Sequence, residues 1–140
     1  MTSIITGDII SSRSADPKLW LAALKAELNK YGTAPKHWEV YRGDSFQLEV
    51  SPKQALIAAL LIKASIKQFK TIDVRLAIGI GKKTYDAEAI TESNGSAFVN
   101  SGECFESLRK SRLAIKTEDD SFNQVINIML DLASLTMDNW

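Results

Sequence analysis

The sequence has little of what stabilises secreted proteins or anchors proteins in membranes. Its one cysteine, Cys104, excludes an intrachain disulfide framework and any cysteine-based zinc site, which is typical of a reducing compartment. The apolar start of the chain lacks a basic segment and reaches Asp8 too early for a secretory signal peptide. The most apolar stretch, residues 55–62, is far shorter than a membrane span. These absences predict a cytoplasmic protein with no membrane partner.

The sequence also has no excess of either charge, since 17 lysine and arginine residues balance 17 aspartate and glutamate residues. A chain without net charge has no overall field to attract nucleic acid or an anionic membrane, so either partner would need a local patch. No block of like charges in the sequence indicates such a patch. The length of 140 residues and the 45% hydrophobic content suit one domain with its own core, and no linker divides residues 1–140.

Apolar residues alternate with polar ones in some segments and recur at helical spacing in others, which predicts strands interleaved with helices. The predicted strands are residues 3–6, which Ile9 and Ile10 can extend, and residues 38–41, 46–50, 73–81 and 113–116. The predicted helices are residues 16–32, 51–69, 96–110 and 119–140. This order predicts an α+β fold with a split-βαβ, ferredoxin-like sheet and helices packed on one side of it.

The last predicted helix, residues 119–140, is apolar on more than one face. One interpretation is that the helix is clamped into the core. The other is that the helix leaves an apolar stripe on the surface, because a large exposed stripe favours association with a second copy of the chain. The sequence leaves both interpretations open.

Two aspartates are the strongest candidates for chemistry. Asp8 ends the first predicted strand, and Asp44 lies at the tip of a predicted hairpin over residues 38–50. If the hairpin lies beside the first strand, both carboxylates project from one edge of the sheet. Two hard oxygen ligands at such an edge suit Mg²⁺, which takes its other ligands from water and from substrate phosphates. Aspartate is also common in turns for local reasons, so both residues have a purely structural alternative.

A polar turn follows Asp8 and offers the donors that a phosphate group needs. Ser11, Ser12 and Arg13 supply hydroxyl, backbone N–H and guanidinium groups, which together bind phosphate. The alternative is an ordinary solvated loop.

Four segments resemble the class III nucleotidyl cyclases, in the order of that family. Residues 4–13, with Gly-Asp before a tight polar turn, resemble its first strand and phosphate loop. Residues 42–46 resemble its Gly-Asp hairpin, which the GGDEF diguanylate cyclases share. Residues 74–81 and 95–102 resemble the following strand and the start of the next helix. Together the four segments span about residues 4–108, and the resemblance implies a nucleotidyl-cyclase-type palm fold.

A closer resemblance is to the SatD-like family of small bacterial proteins. It rests on the pattern Gly-Asp-Ile-x-x-Ser-Arg at residues 7–13 and the pattern Gly-Asp-x-Phe-Gln at residues 43–47. The resemblance implies a regulatory module that binds a nucleotide, such as a nucleoside triphosphate, with Mg²⁺ or Mn²⁺. In that family a DNA-binding helix-turn-helix segment often follows the domain, and here it would come after Trp140, outside this chain.

These resemblances also imply roles for individual residues. Asp8 and Asp44 would hold the metal ion. The residues that would contact the nucleotide are Ser11, Ser12, Arg13 and Gly43. Cyclase-like domains often form dimers, so a homodimer is a further expectation.

The match to an active cyclase is incomplete. Active members carry an Asn and an Arg on the helix after the long loop, and both stabilise the charged transition state. Asn100 matches the first residue, but the position of the Arg falls near Cys104, which cannot replace it. An active nucleotidyl cyclase and a catalytically inert protein-interaction domain are therefore the two alternatives to a nucleotide sensor.

Overall fold

The computed structural model describes all 140 residues and contains one sheet of five strands. The strands are β1 (Thr2–Ile10), β2 (Trp38–Tyr41), β3 (Ser45–Val50), β4 (Asp73–Gly81) and β5 (Leu113–Lys116). The helices are α1 (Pro17–Leu28), α2 (Pro52–Lys67), α3 (Ser96–Ser107) and α4 (Asp120–Met137). Short 3₁₀ turns lie at Ser12–Ser14 and Ile90–Glu92. Every predicted strand and helix is present, which confirms the α+β architecture.

β1 lies at the centre of the sheet, between β3 and β4, and runs antiparallel to both. This position follows from its composition, because the side chains of Ile4, Ile5 and Ile9 are buried on both faces of the strand. β2 pairs with β3, so β1 and β2 run parallel with β3 between them. β5 lies parallel to β4 at the other edge. The hairpin of β2 and β3 is therefore beside β1, as the prediction for the two aspartates requires.

A helix-capping aspartate, a proline and two residues with positive φ angles set the boundaries of the elements near the end of β1. The Asp16 carboxylate accepts a hydrogen bond from the Lys18 N–H at 3.0 Å, and Pro17 begins the first turn of α1. In the hairpin, Arg42 and Gly43 adopt positive φ angles of 54° and 84°, which close the tight turn between β2 and β3. Both features lie where the sequence predicts them.

Helices cover both faces of the sheet, whereas the sequence predicted them on one side. α1, α2 and α4 share one face and a core cluster of 22 buried residues. α3 packs on the other face, against β1, β4 and β5. Gly79 allows this close approach, because a Cβ atom there would lie 2.2 Å from the Ser101 backbone N. The expectation of one helical layer was wrong, because the glycines of β4 leave room for a helix on the second face of the sheet.

A buried ion cluster joins α2, β4 and the end of α4. Lys63, fully buried on α2, donates to the Asp73 carboxylate at 3.2 Å and to the Asp138 carboxylate at 2.7 Å. Lys67 and Arg112 also pair with Asp73. Because each of these charges has a partner, the cluster can lie in the protein interior and fix the end of α4 on the core.

α4 packs only one of its sides on the protein. Leu130, Ser134 and Met137 are its buried residues, and β5 is the strand that it contacts. Neither α4 nor any other helix combines the length and the hydropathy that crossing a bilayer demands.

Candidate functional site

Asp8 is held by an arginine on the neighbouring strand. Because β1 continues to Ile10, Asp8 lies inside the strand, directly opposite Arg75 of β4. Arg75 Nε donates to one carboxylate oxygen at 2.9 Å, and Nη2 donates to the other at 2.6 Å. The hydrogen bonds to Asp8 are the main cause that raises the pKa of Arg75 above its ordinary value. Both oxygens of Asp8 are thus engaged by one guanidinium group.

Asp44 is held by the turn that follows β1. The Ser12 hydroxyl donates to the Asp44 carboxylate at 3.1 Å, and the Ile9 N–H donates to the Asp44 carbonyl at 2.9 Å. Asp44 lines a cleft of about 310 Å³ together with other predicted site residues. The polar residues of this hairpin cleft are Ser12, Arg13, Arg42, Gly43 and Asp44.

Asp8 lines a different and larger cleft, of about 540 Å³. Of the predicted site residues, only Ser11 lies there with Asp8. The other polar residues of this basic cleft are Arg75, Arg109, Lys110 and Arg112. Ser11 and Ser12 are adjacent in sequence, so the two clefts are neighbours, but the carboxylates of Asp8 and Asp44 do not line a common cleft.

The protein side chains do not by themselves complete a site for a divalent ion. No group of three or more His, Cys, Asp or Glu side chains with the geometry of a metal site exists in the molecule. Asp8 shares its carboxylate with Arg75, and the Asp44 carboxylate accepts one hydrogen bond from Ser12. Magnesium needs several oxygen ligands in near-octahedral geometry, so water and substrate phosphates would have to supply most of them. We therefore assign no step to a metal ion.

Asn100 lies far from both clefts. Its side-chain amide donates to the Ile80 carbonyl at 2.9 Å and to Glu118 at 3.2 Å, and the residue is buried on α3. Ile80 is five residues along β4 from Arg75, or about 16 Å at the rise of a strand. The structure therefore does not bring Asn100 to the aspartates with which the cyclase resemblance groups it.

Two cations of the basic cleft lack protein partners. Arg109 and Lys110 are exposed and form no ion pair or side-chain hydrogen bond, whereas Arg75 pairs with Asp8 and Arg112 with Asp73. Two cations of the cleft are thus paired with carboxylates, and the other two are not. The fold thus brings basic side chains together into a local basic patch in a chain without net charge.

The sequence contained a signal for this patch in its Arg-Lys-Ser-Arg run at residues 109–112. The run was missed because residues 96–110 were predicted as one continuous helix. α3 instead ends at Ser107, and Leu108 adopts an extended conformation with ψ of 130°. The chain then turns back toward the sheet, and this turn carries the cations of residues 109–112 to the end of β1 where Asp8 lies.

Backbone strain marks the same region. Only two residues other than glycine have positive φ angles, Ser11 at 59° and Arg42 at 54°. The left-handed conformation costs a residue with a Cβ atom roughly 1 kcal/mol or more, and such residues concentrate at functional sites. Ser11 lines the basic cleft and Arg42 lines the hairpin cleft. The strain therefore supports a binding role for this end of the sheet.

Cys104 takes no part in either cleft. It is buried against Ala77 and Leu108, and burial raises the pKa of its thiol to about 11. A thiol that stays protonated at neutral pH is a poor nucleophile. Cys104 is therefore a small residue of the core.

Comparison of the chain with protein-family models and with curated proteins finds no match. The resemblance to the SatD-like and cyclase families therefore depends on the motifs and their order alone.

Proposed function

We propose that the chain binds a nucleotide in the basic cleft, with its phosphate groups held by arginine and lysine side chains. The observation that carries this proposal is the pair of unpartnered cations, Arg109 and Lys110, beside the end of β1. Cations without a carboxylate partner in a concave site are free to bind an anion that the protein does not contain. The cleft volume of about 540 Å³ suits a small molecule.

The chemistry of the donors favours phosphate over other anions. Guanidinium groups bind two phosphate oxygens through parallel hydrogen bonds, and a lysine adds a mobile point charge. Ser11, with its left-handed backbone, lies at the edge of the same cleft. These groups can together contact several oxygens, as the phosphate chain of a nucleotide requires.

The resemblance to cyclase-like proteins narrows the ligand to a nucleotide. The antiparallel order β2-β3-β1-β4, with β1 and β2 parallel, agrees with a ferredoxin-like palm of the cyclase type. In this proposal the phosphates lie at the end of β1, the position that the phosphate loop of the resemblance also implies. A regulatory role as a SatD-like sensor, coupled to DNA through a segment outside this chain, is part of the same proposal.

In this proposal Asp8 competes with the phosphate groups of the nucleotide for Arg75 and does not bind a metal ion. Without a nucleotide, Asp8 neutralises Arg75 through two hydrogen bonds. A phosphate group offers Arg75 an alternative partner of the same geometry and higher charge. A need for Mg²⁺ or Mn²⁺, which the resemblance implies, stays a prediction that the titration below tests.

Calorimetric titration of the protein tests the proposal. The ligands are ATP, GTP, the matching nucleosides and inorganic phosphate, each without divalent ions and then with Mg²⁺. We expect a triphosphate to bind and the nucleosides to bind far more weakly, with affinity that falls as salt rises because the contacts are electrostatic. Equal binding of a nucleoside and its triphosphate would contradict a phosphate-directed site.

The double variant Arg109→Gln, Lys110→Gln locates the contacts. We expect triphosphate affinity to fall about tenfold or more, since each hydrogen bond to a charged group contributes about 1.5 kcal/mol before a discount for exposure. Lys53→Gln is the matched control, because Lys53 is exposed, unpaired and outside both clefts. Unchanged affinity in the double variant would remove the basic cleft from the proposal.

An active nucleotidyl cyclase is the second candidate, on the resemblance alone. The position of Asn100 beside Ile80, five residues along β4 from Arg75, weighs against it, as does Cys104 near the place of the missing arginine. Prolonged incubation with nucleotides and Mn²⁺, followed by product analysis, distinguishes the two functions. We expect bound nucleotide to be recovered unchanged.

A further inference from the structure

We infer that the outer side of α4 is an interface at which two copies of this chain pair. The outer stripe consists of six exposed apolar residues on this helix. They are Phe122, Val125, Ile128, Met129, Leu132 and Leu135, with exposed fractions from 43% to 72%. The opposite side of the helix already packs on the core through Leu130 and Met137. The core thus holds one side of the helix, and an apolar stripe is exposed on the other.

The spacing of the stripe is that of a helix–helix seam. Val125, Ile128, Leu132 and Leu135 follow one another at intervals of three, four and three residues. In a heptad these are successive a and d positions, and Leu130 and Met137 then occupy the f positions opposite the seam. A solvent-facing helix normally carries polar residues at a and d, so this pattern indicates a second helix as the partner.

The charges around the stripe allow a copy of the same chain to be that partner. α4 carries no lysine or arginine, so pairing brings no basic side chains together. Asp131 accepts a hydrogen bond from Ser111 at 2.8 Å, and Asp138 is paired with Lys63. These contacts hold the nearest carboxylates on their own protomer, which leaves the seam apolar and self-complementary, as a two-fold interface requires.

The area of the stripe is enough for a weak but specific dimer. Full burial of one aliphatic side chain removes roughly 100 Å² of apolar surface from water, so six chains that are about half exposed offer roughly 300–400 Å² per copy. With the polar surface that accompanies it, the pair would bury about 1,000–1,300 Å² in total, the lower end of the range for specific interfaces. We therefore expect dimerisation that depends on concentration in the micromolar range.

Sedimentation equilibrium of the full chain without nucleotide tests the inference. The wild type should be dimeric at tens of micromolar, and Leu132→Lys should be monomeric, since Leu132 is 63% exposed and its replacement leaves the core intact. The matched control is Ile57→Lys on α2, where Ile57 is 51% exposed beside Leu56 and Leu61. The control should remain dimeric.

Each contrary result overturns the inference. A wild type that stays monomeric up to about 1 mM contradicts the dimer itself. A Leu132→Lys variant that still dimerises, or an Ile57→Lys variant that becomes monomeric, places the interface elsewhere.

An Ile128→Cys variant adds a positional test. Cys104 is buried and does not compete for oxidation, so a disulfide-linked dimer should form only through the new thiol. Absence of the cross-link under mild oxidation contradicts a seam centred on α4. The assay uses no ligand, so its outcome is independent of the proposed nucleotide site.

Discussion

Two groups of cations, one buried and one exposed, differ in whether the protein supplies their partners. Lys63 lies in the interior with the carboxylates of Asp73 and Asp138 within 3.2 Å. Arg109 and Lys110 lie in the basic cleft with no carboxylate partner at all. A charge that folding removes from water requires a counter-charge, whereas a charge in an open cleft is solvated by water and can pair with a ligand. The difference separates cations that stabilise the fold from cations that the proposed function assigns to ligand binding.

Arg112 belongs to both groups. Its guanidinium pairs with Asp73 of the buried cluster and also lines the basic cleft. Asp73 therefore joins the two regions, because it holds Lys63 on one side and Arg112 on the other.

The largest effect is expected for Asp73→Asn. This change removes the one carboxylate that Lys63, Lys67 and Arg112 share, and it should lower the free energy of unfolding by about 3 kcal/mol. Urea unfolding followed by circular dichroism measures it. Asp86→Asn is the control, because Asp86 is also paired with lysine but is exposed, and it should change nothing measurable. Equal stability of the two variants would mean that the buried cluster does not hold the fold.

The same change should alter the response to acid. Burial would raise the pKa of Asp73, but the Val74 N–H, the Lys63 charge and the hydrogen bonds from Arg112 and Lys63 together lower it below its ordinary value of 3.8. A lowered pKa stabilises the folded state above pH 3.8, and this contribution disappears as pH falls through the folded value. Asp73→Asn should therefore lose less stability than the wild type between pH 4 and pH 2. A parallel loss in both proteins would contradict this assignment.

An intermediate effect is expected for Arg112→Gln. Because the side chain is 37% exposed and Asp73 keeps two lysine partners, the loss of stability should be about 1 kcal/mol. Nucleotide affinity should fall as well, by several-fold, and a calorimetric titration of the variant measures it. A change in only one of the two properties would show that Arg112 does not connect the clusters.

The smallest effect on stability is expected for Arg109→Gln combined with Lys110→Gln. Neither side chain contacts a protein partner, so the free energy of unfolding should stay within about 0.5 kcal/mol of the wild-type value while nucleotide affinity falls. This result would set the binding cations apart from the stabilising ones most clearly. A large loss of stability would show that they support the fold instead.

The elements of the fold could be predicted because each has a strong local signal. Asp73–Gly81 and Leu113–Lys116 occur at the predicted bounds, since alternation and the flanking residues define both strands. The helical layer on the second face could not be predicted in this way. It depends on the contact between Gly79 and Ser101, which are far apart in sequence.

The candidate site was harder to predict, because it depends on pairings between segments. Sequence motifs singled out Asp8 and Asp44, and the structure places β1 beside the hairpin whose turn carries Asp44. The partner of Asp8 is set by strand register, which places Arg75 opposite it, and no local pattern contains that information. The role of Arg109 and Lys110 depended on the end of α3, and helix ends are among the least certain features of a sequence.

The most direct test of the account is the affinity of Asp8→Asn for a nucleoside triphosphate in the absence of divalent ions. If cations of the basic cleft hold the phosphates, the change frees Arg75 from its carboxylate partner and removes a negative charge that repels the phosphates. Affinity should then rise by up to about tenfold. Asp44→Asn, in the hairpin cleft, should leave affinity unchanged. Loss of binding in Asp8→Asn, with wild-type binding that depends on Mg²⁺, would contradict the account and return Asp8 to the role of a metal ligand.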